Sequence, residues 1–271
     1  MIKARKARTA ATARSNGNFY TQSKKLLLQK LRSSSFDPNH YRIVYMGDSW
    51  AAEGNNTGVA VLNEALNVTG RTKPLYTLHG GDAVFTGSKE QLNFFVKKVK
   101  SKIPSIPLFV SVGNHEATFQ NGTSSLTNFK NIIGPKELHF VVRTPFVKVI
   151  ALSSVSANGG HPYGLSQSEL NFLKKELNTN VKNIIITTHV PPSDWEVGRA
   201  QFNKLIQKNN VKLLIFSHVH AYRKFKYQGK DAIISGGAGA ALDKNQINHI
   251  LILTVRNGNI TTKKVPISWQ L

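Results

Sequence analysis

The chain has 271 residues, of which 40% are hydrophobic, so it is long enough to bury one substantial core. Its 36 lysines and arginines outnumber 14 aspartates and glutamates, and the resulting net charge of +22 favours phosphorylated small molecules or anionic polymers as partners. The absence of cysteine excludes disulfides, thiolate metal sites and cysteine nucleophiles, and no apolar run reaches the ~20 residues of a transmembrane segment.

The N-terminal 36 residues form a basic segment without aspartate or glutamate. Such a segment is typical of an arm that binds nucleic acid or membrane phosphates, of a transit peptide, or of a solvated terminus. Residues 23–31 could form a short amphipathic helix. The sequence therefore predicts a partly disordered basic arm over 1–36 and one domain over 37–271. We expect a cytoplasmic chain, or an exported one whose leader is absent from this sequence, and no pattern indicates the oligomeric state.

Short apolar strands alternate with amphipathic helices from residue 42 onward. Three strand-like runs end in glycine, and helical patterns separate them. This order predicts parallel strands whose carboxyl ends lie at one edge of a sheet. Asp48, Asp82 and Asn114 follow the three strands at intervals of 34 and 32 residues, close to one strand–helix–strand unit. Their side chains are therefore expected at the same edge.

The second half of the chain continues the pattern of strands and helices. A hairpin is predicted over 138–154, and a helix over 166–177 that begins with a capping box from Ser166 to Glu169. Two buried strands, at 183–189 and 212–218, each end in a histidine and are separated by a helical pattern. Three further strand patterns close the chain.

The polar residues at the strand ends are a candidate metal site, because open α/β sheets bind ligands there. Carboxylates, an amide and imidazoles suit a pair of divalent metals when no thiolate is present. A single histidine in such a place is more often a packed or surface residue, so the joint pattern carries the prediction. The candidates are Asp48, Asp82, Asn114, His115, Glu116, His189, His218 and His220.

The motifs around these residues resemble those of calcineurin-like metallophosphoesterases, and most closely the purple acid phosphatase branch. They are GD, GGD, GNHE, a histidine before VPP, and SHVHAY, in which Ser217 replaces the branch's usual glycine. The resemblance spans about residues 40 to 255. It implies an α/β fold, a four-layer α/β/β/α sandwich of two mixed sheets flanked by helices.

The resemblance also implies a metal-dependent phosphohydrolase in which metal-bound hydroxide attacks phosphorus, with phosphomonoesters favoured. The alternatives are a phosphodiesterase or nuclease, or a non-catalytic protein that binds phosphate or nucleic acid on the same scaffold. Nucleic acid could be held through the basic arm. The metal ions would be two, chosen from Mn, Fe and Zn.

Individual roles follow from the resemblance. Asp82 would bridge the two metal ions. Asn114, His189 and His218 would complete the second site, whereas Asp48 and His220 belong to the first. His115 would be a catalytic residue above the substrate, stabilising the phosphoryl oxygens or protonating the leaving group.

Two positions depart from the family pattern and leave the first site short of ligands. The wider superfamily usually has histidine where this chain has Trp50, and the purple branch has tyrosine where this chain has Phe85. Three outcomes stay open: a weaker first metal, an enzyme with one tightly held metal, or a protein that binds phosphate without turnover.

Three neighbouring residues have open roles. Trp50 either lines the substrate pocket and stacks on an aromatic leaving group, or packs against the next helix. Glu116 is expected to orient a neighbouring group, such as an imidazole. His79 is a candidate ligand or partner of a ligand, or it only closes its strand.

Overall fold

The computed structural model describes residues 17–120 and 122–269. In these ranges the helices are α1 (Phe19–Leu31), α2 (Asn56–Thr72), α3 (Lys89–Lys102), α4 (Thr127–Ile132), α5 (Gln167–Leu177) and α6 (Arg199–Gln207). The strands are β1 (His40–Met46), β2 (Tyr76–His79), β3 (Leu108–Val110), β4 (Thr118–Gln120), β5 (Thr123–Ser125), β6 (Phe140–Thr144), β7 (Val147–Ala151), β8 (Asn183–Thr188), β9 (Val211–Phe216), β10 (Tyr222–Tyr227), β11 (Lys230–Ser235), β12 (His249–Arg256) and β13 (Asn259–Pro266).

Two mixed sheets carry the fold. The five-stranded sheet has the order β13-β12-β1-β2-β3, and β1, β2 and β3 are parallel. The six-stranded sheet has the order β10-β11-β9-β8-β7-β6, in which the four central strands are parallel and both edge strands antiparallel. Strands β4 and β5 form a separate antiparallel pair. The expected hairpin over 138–154 is confirmed as β6 and β7.

Alternate residues of the strands face two different sides of each sheet. In β1, Ile43 and Tyr45 belong to a cluster that also contains Val149 and Ile215 of the other sheet. Their neighbour Val44 belongs to a second cluster, which includes residues of α2, α3, α5 and α6. The first cluster therefore lies between the sheets and the helices cover their outer faces, which confirms the expected four-layer sandwich.

Helix α1 is packed into the domain, which corrects the expected arm over 1–36. Asn18 caps the helix, since its Oδ1 accepts a hydrogen bond from the Thr21 amide at 3.1 Å. Phe19 and Leu27 are buried, and Ser23 Oγ donates to the Leu108 carbonyl at 2.8 Å. The packed domain therefore includes α1, and residues 1–16 of the predicted arm lie outside the described residues.

None of the helices in the described ranges combines the length and the apolar character that crossing a bilayer requires.

Candidate active site

The candidate ligands converge from five strands. Asp48, Asp82 and Asn114 follow β1, β2 and β3, while His189 and His218 follow β8 and β9. The two sheets meet here, since the His218 amide donates to both oxygens of Asp48 at 3.2 and 3.1 Å. The structure thus brings residues far apart in the chain to one edge of the sandwich, as the sequence predicted.

Four of these residues form a tight cluster. Asp82, His189 and His218 each offer one ligand atom within 4.8 Å of the others. Asn114 Oδ1 lies 3.1 Å from His189 Nε2 and 3.1 Å from His218 Nδ1. These are the four residues expected at the second metal site, and their role as ligands stays a prediction.

The residues expected at the first metal site are less closely grouped. His220 Nε2 lies 3.7 Å from Asp48 Oδ1. Between this pair and His115 stands Trp50, whose ring centroid is 4.9 Å from that of His220 and 4.8 Å from that of His115. Phe85 contacts the indole edge-on at 5.1 Å. Aromatic carbon therefore occupies the two positions where the resemblance implies extra ligands.

Backbone carbonyls fix the tautomers of three imidazoles in the site. A carbonyl only accepts hydrogen bonds, so each Nδ1 carries a hydrogen and each Nε2 faces the carboxylates. The pairs of imidazole Nδ1 and carbonyl are His115 with Phe85 (2.7 Å), His189 with Gly80 (3.0 Å) and His220 with Ala241 (2.7 Å). Such anchoring of the remote nitrogen is usual for histidines that bind metals.

Asp48 and Asp82 are buried carboxylates of the candidate ligand set, and they form no ion pair with lysine or arginine in the described residues. Burial raises the pKa of Asp48 well above its usual value. Burial also acts to raise the pKa of Asp82, but the charge and hydrogen bond of His189, together with the charge and amide of His115, outweigh it and lower that pKa. For His189, burial opposes protonation, yet the charge and hydrogen bond of Asp82 raise its pKa to about 9.

The donor set fits a divalent metal ion. Without a metal, a proton on His189 balances the charge of Asp82, and metal binding would displace such a proton. The oxygens of Asp82 and Asn114 with imidazole nitrogens suit Mn, Fe or Zn. The residues present therefore form a set of donors that could bind a metal ion.

Several site residues have strained backbones. Asp48, Trp50, Asp82 and His218 have φ angles of 58°, 46°, 53° and 68°, in the left-handed region that side chains other than glycine rarely adopt. Each such residue costs about 1–3 kcal/mol, and strain of this kind concentrates at functional sites. Gly236 permits the close approach, because a Cβ there would lie 2.5 Å from Asp48 Oδ2.

Glu116 orients a neighbouring group, as expected, but that group is the backbone of the site. The expected imidazole partner is corrected. Its buried carboxylate accepts hydrogen bonds from the amides of Asp82, Ala83 and Gly113 at 2.8, 2.7 and 2.6 Å. Three donors from two separate loops meet at one carboxylate. Glu116 therefore sets the position of the Asp82 loop relative to Asn114.

His79 supports the same loop from beneath. Its Nδ1 accepts a hydrogen bond from the Gly81 amide at 3.3 Å, so its Nε2 carries the hydrogen and donates to Ser49 Oγ at 3.0 Å. Burial lowers the pKa of His79 to about 3. Both nitrogens are engaged with the protein, so His79 stands outside the ligand cluster.

Sequence reasoning did not single out Tyr163, whose ring contacts His218 edge-on at 5.5 Å. It lies in the glycine-rich loop NGGHPYG, and this glycine-rich pattern is the sequence feature that could have indicated a loop near the site. The ring of His161 stacks on Tyr163 at 3.9 Å. Tyr163 therefore borders the ligand cluster at His218.

A cavity of about 790 Å³, here called the Trp50 cavity, adjoins the site. Its apolar lining comes from the side chains or backbone of Trp50, Ala52, Phe85, Ala240, Ala241 and Leu242. Trp50 and Phe85 belong both to this cavity and to the group of rings around His115. The cavity and the ligand cluster are therefore neighbours.

A family model for calcineurin-like phosphoesterases matches residues 41–222. The match covers more than half of the chain, and the chain therefore belongs to the calcineurin-like phosphoesterase family. The family is one of metal-dependent phosphoesterases. A comparison with curated protein sequences found no match.

Solved structures with the same fold include a purple acid phosphatase from yellow lupin (Lupinus luteus) seeds, with a TM-score of 0.68 and 16% identity over 83% of this chain. This chain spans about half, 51%, of the lupin protein. A dimetal phosphatase from Danio rerio has a TM-score of 0.63 and 14% identity over 86% of this chain and 100% of its own. GAP50, the anchor in the inner membrane complex of Plasmodium, has a TM-score of 0.59 and 15% identity, covering 84% and 85%. Identities this low establish the shared fold alone.

Proposed function

We propose that the protein hydrolyses phosphate esters in a metal-dependent reaction and prefers phosphomonoesters. The convergence of Asp82, Asn114, His189 and His218 within hydrogen-bond distances, with His115 beside them, is the observation that carries this proposal. A non-catalytic phosphate site would need positive charge or amide donors, but not two buried carboxylates.

We assign the ligands as the resemblance implies. Asp82, Asn114, His189 and His218 would hold one metal ion, and Asp48, Asp82 and His220 the other. Bound metal ions would supply Lewis acidity toward the phosphoryl oxygens and lower the pKa of a water molecule. The protein presents carboxylate and amide oxygens together with imidazole nitrogens. Backbone carbonyls at Nδ1 fix the ring orientation of His189 and His220, so their Nε2 atoms face the carboxylates.

His115 would act on the leaving group. Its Nδ1 is anchored on the Phe85 carbonyl, and its Nε2 lies 3.9 Å from Asp82 Oδ2. The side chain is 28% exposed, so a substrate can reach it. A protonated Nε2 would give its proton to the departing oxygen, and this assistance is typically worth 10²–10⁴-fold in rate.

The preference for monoesters is supported by the Trp50 cavity beside the cluster. A monoester presents one substituent for this cavity, whereas a diester must place a second substituent among the metal ligands. Hydrolysis of p-nitrophenyl phosphate and of bis(p-nitrophenyl) phosphate compares the two classes directly. Faster cleavage of the diester would contradict the preference for monoesters and would support the alternative function, a phosphodiesterase.

The reaction is tested by removing and restoring metal. Chelation should abolish hydrolysis of p-nitrophenyl phosphate, and Mn, Fe or Zn should restore it. Asp82→Asn should remove most of the activity, while Glu137→Gln, an exposed carboxylate elsewhere on the domain, is the matched control. Activity that survives both chelation and Asp82→Asn would overturn the proposal.

A non-catalytic binding protein is the second candidate, because Trp50 and Phe85 place no ligand at the first site. Elemental analysis of protein equilibrated with Mn, Fe or Zn separates the candidates. Two ions per chain support the binuclear enzyme and one supports an enzyme with a single metal. A protein that binds no metal ion would support the non-catalytic binding protein.

Nucleic acid binding through the basic N-terminal segment stays a prediction. Lys24 and Lys25 are exposed on α1, the packed part of it, whereas Lys30 Nζ donates to the Pro74 carbonyl at 3.1 Å. Deleting residues 1–16 tests the segment while α1 is kept. A salt-dependent affinity for DNA that is unchanged by the deletion would argue against an arm.

A further inference from the structure

The Trp50 cavity has a lining that suits a particular kind of substituent. It is about 790 Å³ in volume, which lies within the usual range of small-molecule sites. The rings of Trp50 and Phe85 form part of its wall, and Phe85 is 46% exposed although it is a large hydrophobic residue. Exposed aromatic surface in a concave site next to catalytic residues favours a ligand with an apolar face.

Two amide side chains of the wall, Asn55 and Asn248, are already occupied. Asn55 donates to the Trp50 carbonyl at 3.0 Å and accepts from the Gly58 amide at 3.0 Å. Asn248 likewise donates to the Gly237 carbonyl and accepts from Trp269 Nε1. With both ends of these two amides committed to the protein, they offer little for reading a polar ligand.

Charge also distinguishes the cavity from the ligand cluster. Glu53 is on the cavity wall, is exposed, and makes no ion pair with any of the described residues. A carboxylate in this position repels a phosphoryl group. The phosphoryl group would therefore sit over the cluster of Asp82, and the neutral part of the substrate would extend into the cavity.

The indole of Trp50 is held rigidly for this role. Its amide donates to the Asp82 carbonyl at 3.1 Å, and its carbonyl accepts from Asn55, which together maintain the strained φ of 46°. Its ring contacts His115, the group proposed to protonate the leaving oxygen, at a centroid distance of 4.8 Å. A substituent in the Trp50 cavity would thus leave its oxygen near His115.

We propose that the Trp50 cavity binds the leaving group of the phosphoester and selects a neutral aromatic one. This inference rests on the proposed phosphoester hydrolysis and names its substrate class. Trp50, Phe85 and Leu242 are then specificity residues. A second aromatic ring that buries about 55 Å² more apolar surface should gain roughly tenfold in kcat/KM.

The test compares phenyl phosphate with 2-naphthyl phosphate, whose leaving groups have similar acidity and differ in aromatic area. The protein with metal restored should cleave the naphthyl ester with about tenfold higher kcat/KM. In Leu242→Ser and Phe85→Ser this ratio should fall toward one, while Phe85→Ser retains the backbone carbonyl that orients His115. Leu28→Ser is the matched control, since Leu28 is 50% exposed on α1 and should leave the ratio unchanged.

Binding of the products, phenol and 2-naphthol, needs no turnover and separates this inference from the proposed function. Tighter binding of 2-naphthol that is lost in Leu242→Ser, without hydrolysis of either ester, would support the aromatic site in the cavity. The same result would contradict the proposed phosphoester hydrolysis. Hydrolysis of both esters with a ratio that neither variant changes, or equal binding of the two products, would overturn the aromatic leaving-group site.

Discussion

The carboxylate of Glu116 accepts a 2.8 Å hydrogen bond from the amide of Asp82, the residue proposed to bridge two metal ions. It binds the amides of Ala83 and Gly113 as well, so it joins the loops after β2 and β3. Asp82 itself has a left-handed φ of 53°. The position of the central ligand thus depends on a buried carboxylate that contacts backbone and not substrate.

Glu116→Gln should therefore weaken metal binding. Glutamine has only one accepting oxygen, and its amide group would face backbone amides, leaving at least one buried donor without a partner. Loss of such support for a ligand typically costs 10–100-fold in metal affinity or activity. Competition with a chromophoric chelator measures the affinity, and Glu137→Gln is the exposed control. Equal affinities in the variant and the parent would contradict this role.

Sequence predicted the ends of the strands well, because burial and chain punctuation are local. The apolar runs that end in glycine placed Asp48, Asp82 and Asn114 at one edge. Edge strand β10 escaped prediction, since Arg223, Lys224 and Lys226 break its apolar pattern at a solvent-facing edge. Charged residues on edge strands are common because they prevent pairing with other chains.

Individual hydrogen bonds between distant segments could not be predicted from the sequence. Ser23 of α1 bonds the Leu108 carbonyl across 85 positions, and no local pattern marks that partner. The carbonyls that fix the imidazole tautomers belong to Gly80, Phe85 and Ala241, whose side chains carry no metal chemistry. Backbone atoms make these hydrogen bonds, so the residue type does not indicate which position fixes an imidazole tautomer.

His115→Asn should lower kcat without lowering the metal content. The substitution removes the proposed proton donor, for which a loss of about 10²–10⁴-fold is typical. The loss should be larger for phenyl phosphate than for p-nitrophenyl phosphate, because the better leaving group needs less protonation. Steady-state kinetics on the two esters, with elemental analysis, checks both points. The same loss for both esters would remove His115 from leaving-group protonation.

His79 should make folding stability depend on pH. Burial lowers its pKa to about 3 from an ordinary ~6.5, so the unfolded chain takes up a proton that the folded protein does not. The contribution of His79 to stability is present above pH 6.5 and is lost as the pH falls toward 3. Between pH 7.5 and 5.0 the loss is ~2 kcal/mol.

Urea unfolding of the parent and of His79→Gln at these two pH values measures the effect. The difference between the two proteins cancels the titration of the metal-site histidines, which both retain. The stability of His79→Gln should fall less with decreasing pH, by ~2 kcal/mol. Parallel pH dependence in the two proteins would show that folding does not lower the pKa of His79.

Phe19→Ala should destabilise the whole domain. Phe19 is only 6% exposed and belongs to the main core cluster, so its truncation should cost about 3–5 kcal/mol. Leu28→Ala, on the exposed face of the same helix, should change stability by less than about 0.5 kcal/mol. Urea denaturation checks both. A loose arm would make the two variants equivalent.

Trp50→His should strengthen the first metal site. The structure gives this site Asp48, Asp82 and His220 as candidate donors, and the Trp50 ring stands 4.9 Å from that of His220. An imidazole at position 50 adds a nitrogen donor, and a fourth ligand completes the coordination that zinc prefers. The number of ions retained after dialysis against a weak chelator should rise from about one to about two per chain. Trp50→Phe removes the same indole without adding a donor, so it should retain no more metal than the parent. Equal retention in the two variants would show that the space left by the indole, and not the new nitrogen, governs the first site.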